Sequence, residues 1–312
     1  MRVLNIPVRP LFFTRFTPKP KIGFNTRQSE SGQKERDIAA GPQKMTLPGV
    51  KRIIAVASGK GGVGKSTVSA NLALALAAEG HTVGLLDADI YGPSQGLMMG
   101  VPEGTKPNVA GEYLEPIEVH GLQVMSMSFV TSDRTPAVWR GPMASGALQQ
   151  LLAQTYWQKV DYLIVDMPPG TGDIQLTMSQ QVPLSGAVVV TTPQDIALLD
   201  ARKGIEMFRK VEVPLLGIVE NMSMHTCSNC GHKEAVFGEG GGDAIAEEYN
   251  TSILAQLPLS MAIREQSDGG KPPMLSDPDG EIADMFRGIA EKIHSMIETV
   301  QTAGPRIHIV DD

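Results

Sequence analysis

Residues 59–67 read Gly-Lys-Gly-Gly-Val-Gly-Lys-Ser-Thr, and few backbone arrangements accommodate such a run. Its glycines remove the Cβ atoms that would keep backbone N–H groups from converging on a bound anion. The run follows an apolar, β-branched stretch, Ile53–Ala57, that reads as a buried strand. It precedes an alanine- and leucine-rich stretch, Lys65–Glu79, that reads as a helix. Strand, glycine loop and helix satisfy the phosphate-loop pattern G-x-x-x-x-G-K-[ST], with Gly59, Gly64, Lys65 and Ser66 in the fixed places. The helix N-terminus adds a positive dipole end. Lys65 is then the candidate for the β- and γ-phosphates, and the Ser66 hydroxyl for Mg²⁺.

Gly59, Gly61 and Gly64 also spell G-x-G-x-x-G after a strand, and Asp87 stands where the ribose-binding acid of a dinucleotide site would sit. Lys65-Ser66-Thr67 favours the phosphate loop, because a dinucleotide site has no use for a lysine and a metal-binding hydroxyl there. The whole run Gly59, Lys60, Gly61, Gly62, Val63, Gly64, Lys65, Ser66 and Thr67 is therefore the candidate ATP-binding loop.

From Lys51 onward, apolar strand-like runs alternate with helical stretches. Further strands are expected at 82–86, 122–127, 162–165, 187–191, 215–219 and 253–257, and further helices at 142–156, 174–181, 197–210, 243–248 and 281–299. This alternation predicts a single α/β domain over 51–300, a mostly parallel sheet with helices on both faces. The strands are nearly continuous in apolar residues, as strands covered on both sides are. Met285, Ile289, Ile293 and Ile297 recur at helical spacing and read as core contacts.

In such a sheet, ligands bind beyond the carboxyl ends of the strands. Asp87-Ala88-Asp89, Asp166 to Asp173 and Glu220-Asn221-Met222 all fall there. Asp166, after Leu163-Ile164-Val165, is the strand-end acid that supports Mg²⁺; Asp87 and Asp89 are candidates to orient water or hold a metal-bound water; Gly170 is a candidate backbone donor to a γ-phosphate. For each, the alternative is helix capping.

Charge divides the chain. Residues 1–29 carry Arg2, Arg9, Arg15, Lys19, Lys21 and Arg27 and no acid, whereas the remaining 21 basic residues face 34 acidic ones, a balance of −13. An acidic body argues against nucleic-acid binding as the main role. The basic leader, studded with Leu4, Leu11, Phe12, Phe13 and Phe16, has the pattern of an organellar transit peptide; the alternative is a basic tail without fixed structure. Residues 30–50, polar with Gly and Pro, read as linker, and 301–312 as a C-terminal tail. No apolar run approaches the roughly 20 residues of a membrane span.

The only two cysteines, Cys227 and Cys230, lie in His225-Thr226-Cys227-Ser228-Asn229-Cys230-Gly231-His232. Two thiolates at this spacing supply half of a four-sulfur set. A local zinc site completed by His225 and His232, a redox dithiol, and a cluster shared by two copies all remain open at this point.

Lys60, a second lysine at the start of the loop, is a departure from the general pattern. With it the chain resembles the deviant phosphate-loop ATPases, the class of nitrogenase iron protein, the Min and Par positioning ATPases and the arsenite pump ATPase. The resemblance implies that Lys60 crosses a dimer interface to the nucleotide of the other subunit. Asp89-Ile90-Tyr91-Gly92-Pro93-Ser94, Trp139-Arg140-Gly141-Pro142, Asp166 to Asp173, Thr192-Pro193-Gln194-Asp195, Asn221-Met222-Ser223 and the cysteine pair together resemble the Mrp/Nbp-type iron–sulfur carrier ATPases over residues 48–298. That resemblance implies ATP hydrolysis, a labile [4Fe–4S] cluster bridged across a homodimer by Cys227 and Cys230, transfer to apo-proteins, and an adenine contact from Asn221. Met-Ser-Met at 125–127, Val138 to Gly141 and the basic leader resemble the mitochondrial branch, which implies the matrix and iron–sulfur subunits of respiratory complex I as clients. The cytosolic branch has an additional N-terminal cysteine cluster, absent from this sequence. Two other readings stand beside this one: an ATP-binding scaffold with zinc between the cysteine pairs, and a Min- or Par-type positioning ATPase.

Overall fold

A computed structural model describes residues 44–130, 141–227 and 229–302. The expected leader, most of the linker, Trp139-Arg140, Ser228 and most of the tail lie outside the described residues.

Eight strands make the central sheet: β1 (Val50–Ala57), β2 (Val83–Asp87), β3 (Ile117–Val119), β4 (Leu122–Ser126), β5 (Val160–Asp166), β6 (Gly186–Thr191), β7 (Leu215–Glu220) and β8 (Ile253–Gln256). Their order is β8-β7-β6-β1-β5-β2-β4-β3. All pairings are parallel except the edge strand β3, which folds back on β4. Each expected strand is present within a few residues. The β3–β4 hairpin, not expected from the sequence, caps one edge with a short strand.

The strand order explains the two covered faces. The chain moves one way along the sheet from β1 to β2, and the opposite way from β4 to β5, β6, β7 and β8. With right-handed crossovers, helices made on steps of opposite direction lie on opposite faces. Lys65–Ala78 accordingly packs with the C-terminal helix Glu281–Thr302, while Gly141–Gln154 packs with Asp173–Gln181 and Asp195–Lys210 with Gly241–Glu248. Lys65–Ala78 is buried nearly all round, from Val68 to Leu76, which its Ala/Leu composition without a polar face allows. On the C-terminal helix, Phe286, Ile289, Ile293 and Ile297 are buried, as expected for the latter three.

The domain starts earlier than the expected linker boundary. Leu47 is buried in the core, and the Met45 N–H donates to the Gln181 carbonyl at 2.8 Å. The end of the linker is thus an apolar anchor rather than a spacer.

Register sets the site. Asp87 lies beside Asp166 on the neighbouring strand, with Ser126 on its other side and Val56 beyond Asp166. Because the chain leaves β1 in one direction along the sheet and leaves its neighbours β5 and β6 in the other, a crevice opens at its carboxyl end, where the glycine loop begins.

Candidate functional site

The loop wraps the start of the helix Lys65–Ala78, and two of its glycines are required by close contacts. A Cβ on Gly59 would lie 2.2 Å from the Asp200 carbonyl group. Gly64 has φ +85°, and a Cβ there would meet Asn221 Nδ2 at 2.1 Å. Beside the loop is a cavity of about 300 Å³, lined by Gly61, Gly62, Gly64, Lys65, Ser66 and Thr67 from the loop, and by Asp89, Ser94, Pro169 and Met222 from other strand ends. A cleft of this size with convergent backbone donors suits a phosphate-bearing ligand.

Lys65 and Asp166 form a buried ion pair, Nζ to Oδ1 2.5 Å. Asp166 holds two further donors: Oδ1 also accepts from Ser69 Oγ at 2.9 Å, and Oδ2 from Gln95 Nε2 at 2.8 Å. Lys65 Nζ also reaches Ser66 Oγ at 3.2 Å. The lysine expected at the phosphates lines the cavity and is held from behind by the acid expected at the metal, which is itself fully buried.

Asp87 and Asp89 separate. Asp89 lines the cavity; burial pushes its carboxyl up, with Lys65 opposing. Asp87 is fully buried and lines no part of it. Its Oδ1 accepts from the Asp89 N–H at 3.1 Å, and its Oδ2 from the N–H groups of Ser94 and Gln95 at 2.9 and 3.0 Å and from Ser126 Oγ at 3.1 Å. Burial, and then the neighbouring Asp166, push it up to about 7. Its geometry is that of a loop organiser rather than of a group orienting water. The same burial removes it as a ribose-binding acid, and with it the dinucleotide alternative.

Three other expected residues are engaged differently from expectation. The Gly170 N–H donates to the Ser58 carbonyl at 2.9 Å, so it is not directed to a phosphate. Asn221 Nδ2 donates to the Val63 carbonyl at 2.9 Å, tying β7 to the loop; its neighbour Met222 lines the cavity instead. Lys60 Nζ bonds Gln194 Oε1 of its own chain at 3.2 Å. Glu220, at the end of β7, follows the capping alternative: it accepts the Gly242 N–H at 2.6 Å in the first turn of Gly241–Glu248. Gln95 and Ser69 were not singled out by sequence reasoning, and Ser94 and Ser126 only inside family motifs.

Beyond Asn221 the chain runs as an extended strap against Leu257–Leu259. The Ser223 N–H and Oγ reach the Leu257 carbonyl at 2.9 and 3.0 Å, and the Leu259 N–H donates to the Met224 carbonyl at 2.9 Å. It ends in a small hairpin of His225–Thr226 and Lys233–Glu234. The Cys227 N–H donates to the His232 carbonyl at 2.8 Å, and the Gly231 N–H to the Cys227 carbonyl at 2.9 Å, which closes the turn. Cys227 is half-buried, Cys230 is exposed, and both are free thiols. The Cys230 and Asn229 N–H groups hold the Cys227 thiol below its ordinary range. His225 Nδ1 is turned to the Leu259 carbonyl at 3.2 Å. Among the described residues, no group of three or more His, Cys, Asp or Glu side chains is placed to hold a metal ion, so a local zinc site with both histidines finds no geometric support. No helix among the described residues is long and apolar enough to cross a membrane.

Comparison with known proteins bears on both sites. A family model described as ParA: NUBPL iron-transfer P-loop NTPase matches residues 49–294. An iron-sulfur cluster carrier protein of Pseudomonas fragi is 62% identical over 257 residues, covering 81% of this chain and 90% of the relative. The iron-sulfur cluster transfer protein NUBPL of Mus musculus is 49% identical over 257 residues, covering 81% and 79%. A nucleotide-binding protein from Archaeoglobus fulgidus, solved in complex with ADP, superposes with a TM-score of 0.66 at 37% identity over 77% of this chain and 93% of that one. Identity therefore does not single out the mitochondrial branch, since a bacterial carrier matches more closely than the mouse protein. The match to the family model runs through the phosphate loop, the strand-end acids and the cysteine hairpin alike, and the chain belongs to the NUBPL-type iron-transfer P-loop NTPases.

Proposed function

We propose that this chain binds and hydrolyses ATP with Mg²⁺ at the loop cavity and carries a [4Fe–4S] cluster between the Cys227 and Cys230 pairs of two copies, for delivery to apo-proteins. The observation that carries this reading is the continuity of the two sites. Asn221, bonded to the phosphate loop, and Cys227, in the hairpin turn, belong to one short strap.

The residues suit the nucleotide and its cation. Mg²⁺ is usually held by one or two carboxylates together with substrate phosphates, and Ser66 and Asp89 line the cavity with Asp166 behind them. The cation would supply charge neutralisation at the phosphates. An arriving phosphate competes with Asp166 for the Lys65 ammonium, which frees the carboxylate toward the cation side. Asp89 orients water, and Lys60, released from Gln194, acts on the partner's nucleotide as the family resemblance implies. Two thiolates hold half of a cubane, so the cluster, as cargo, requires a second copy.

The basic leader supports the mitochondrial matrix as the location, with complex I subunits among the clients. An intact N-terminus on protein recovered from mitochondria would contradict that assignment. The main test is anaerobic reconstitution, which should give a brown dimer with about four iron per two chains, the content of one cubane. Dimerisation with zinc and no iron chromophore would sink the cluster reading. Membrane-localised oscillation without metal would favour a positioning ATPase.

A further inference from the structure

Gln95 is completely buried at the start of the short helix Gln95–Met98. Its Nε2 donates to two acceptors at once, Asp166 Oδ2 at 2.8 Å and the Ser66 carbonyl at 3.0 Å. Two acceptors on one side define the amide's orientation, since only its nitrogen donates. Gln95 thereby joins the strand-end acid to the phosphate-loop residue whose hydroxyl is the candidate metal ligand. Among the described residues, its remaining atom, Oε1, is buried and accepts no hydrogen bond; nor has the buried Oγ of Ser94, the preceding residue, a partner. Ser94 lines the nucleotide cavity. An unpaired buried acceptor is destabilising, and two on consecutive residues beside one cavity call for a functional explanation.

We infer that Ser94 and Gln95 position the divalent cation of the nucleotide, Gln95 by fixing Asp166 against Ser66, and Ser94 by hydrogen bonding to the cation's water shell. This rests on the nucleotide–Mg²⁺ reading above. Neither residue need touch the metal. Outer groups that orient a ligand govern metal affinity nonetheless, typically about 10–100-fold on removal. Asp87 makes the arrangement rigid, because its Oδ2 accepts the backbone N–H groups of both residues.

The test uses the full chain with ATP, titrating Mn²⁺ by electron paramagnetic resonance and Mg²⁺ by its effect on a fluorescent ATP analogue. Gln95→Met preserves length and removes the amide; Ser94→Ala removes only the hydroxyl. Gln95→Met should weaken Mn²⁺ binding in the ternary complex by about tenfold or more, with ATP affinity in the absence of metal unchanged. Ser94→Ala should shift it in the same direction by a smaller factor. Unchanged Mn²⁺ affinity in folded Gln95→Met overturns the inference. If that variant does not fold, Ser94→Ala decides alone, and no shift there overturns it equally. Should the wild-type chain show no metal-dependent nucleotide binding, the nucleotide reading itself fails, a result distinct from either outcome.

Discussion

The phosphate-loop end of the sheet and the cysteine hairpin are built on opposite principles. Around Asp87 and Asp166 nearly every polar atom is buried and paired within one chain, and Gly59 and Gly64 of the loop are pressed against neighbouring groups. The hairpin is short, bonded mainly through its own backbone, and carries one half-buried and one exposed thiol, with no third His, Cys, Asp or Glu placed to share a metal ion among the described residues. The first region is preorganised within one chain. The second offers two thiols and, under the proposed function, is completed only by a second copy. The difference teaches where each function is vulnerable: damage at the loop should cost stability and nucleotide together, and damage at the hairpin should cost cargo alone.

The largest expected effect tests that separation. Cys227→Ser and Cys230→Ser should each abolish the iron chromophore on reconstitution while leaving the melting temperature and ATP affinity unchanged. A large loss of stability in either would mean that the hairpin is part of the core after all. Next, Lys65→Ala leaves Asp166 as a buried charge without its cation, and should lower unfolding free energy by about 3–5 kcal/mol along with nucleotide affinity. Denaturant titration without nucleotide separates the two losses, and an unchanged midpoint would break the picture of a preorganised loop.

A smaller effect probes the tie between the regions. Gly64→Ala introduces a Cβ at a positive φ and into Asn221 Nδ2, which should cost about 1–3 kcal/mol. Asn221→Ala in the same chain should relieve the steric part, so the double variant should be more stable than the sum of the single losses. Strict additivity would show that the contact is absent in solution.

The pH dependence follows from Asp87. Its folded-state value, about 7, lies above the ordinary 3.8. Its contribution to stability is therefore fully present below about pH 4 and is lost as pH rises through 7. Unfolding free energy measured from pH 4 to 8 should fall more steeply in the wild type than in Asp87→Asn; parallel curves would rule out this assignment. The smallest stability effect belongs to Lys60→Ala, within about 0.5 kcal/mol, because its bond to Gln194 is a peripheral one. If Lys60 acts on the partner's nucleotide, turnover falls while single-chain stability and ATP affinity hold. Equal turnover would return it to the role of an ordinary surface lysine.

Much of this was legible in the chain. The apolar runs marked every parallel strand, because strands buried on both faces need apolar residues at successive positions. The glycine loop was legible because phosphate binding demands particular residues at fixed spacing. Harder to see was which polar strand-end group faces the cavity. Asp87 and Asp89 are two residues apart and chemically alike, yet one is an internal acceptor for the following loop and the other lines the site. Gly170 and Asn221 were read as ligand contacts, but their donors are engaged by Ser58 and Val63. Gln95 carried no local signal at all, since its importance comes from Asp166, far along the chain.

Residue spacing alone thus determined an α/β phosphate-loop domain and a cysteine pair of metal-ligand spacing, because both follow from local patterns. Strand order and register were decided only in the tertiary structure. They place Asp87 beside Asp166, set Gln95 between that acid and Ser66, and run one strap from the loop to the cysteines. These are pairings between residues distant in sequence, governed by which faces can be buried together, and no local pattern encodes them.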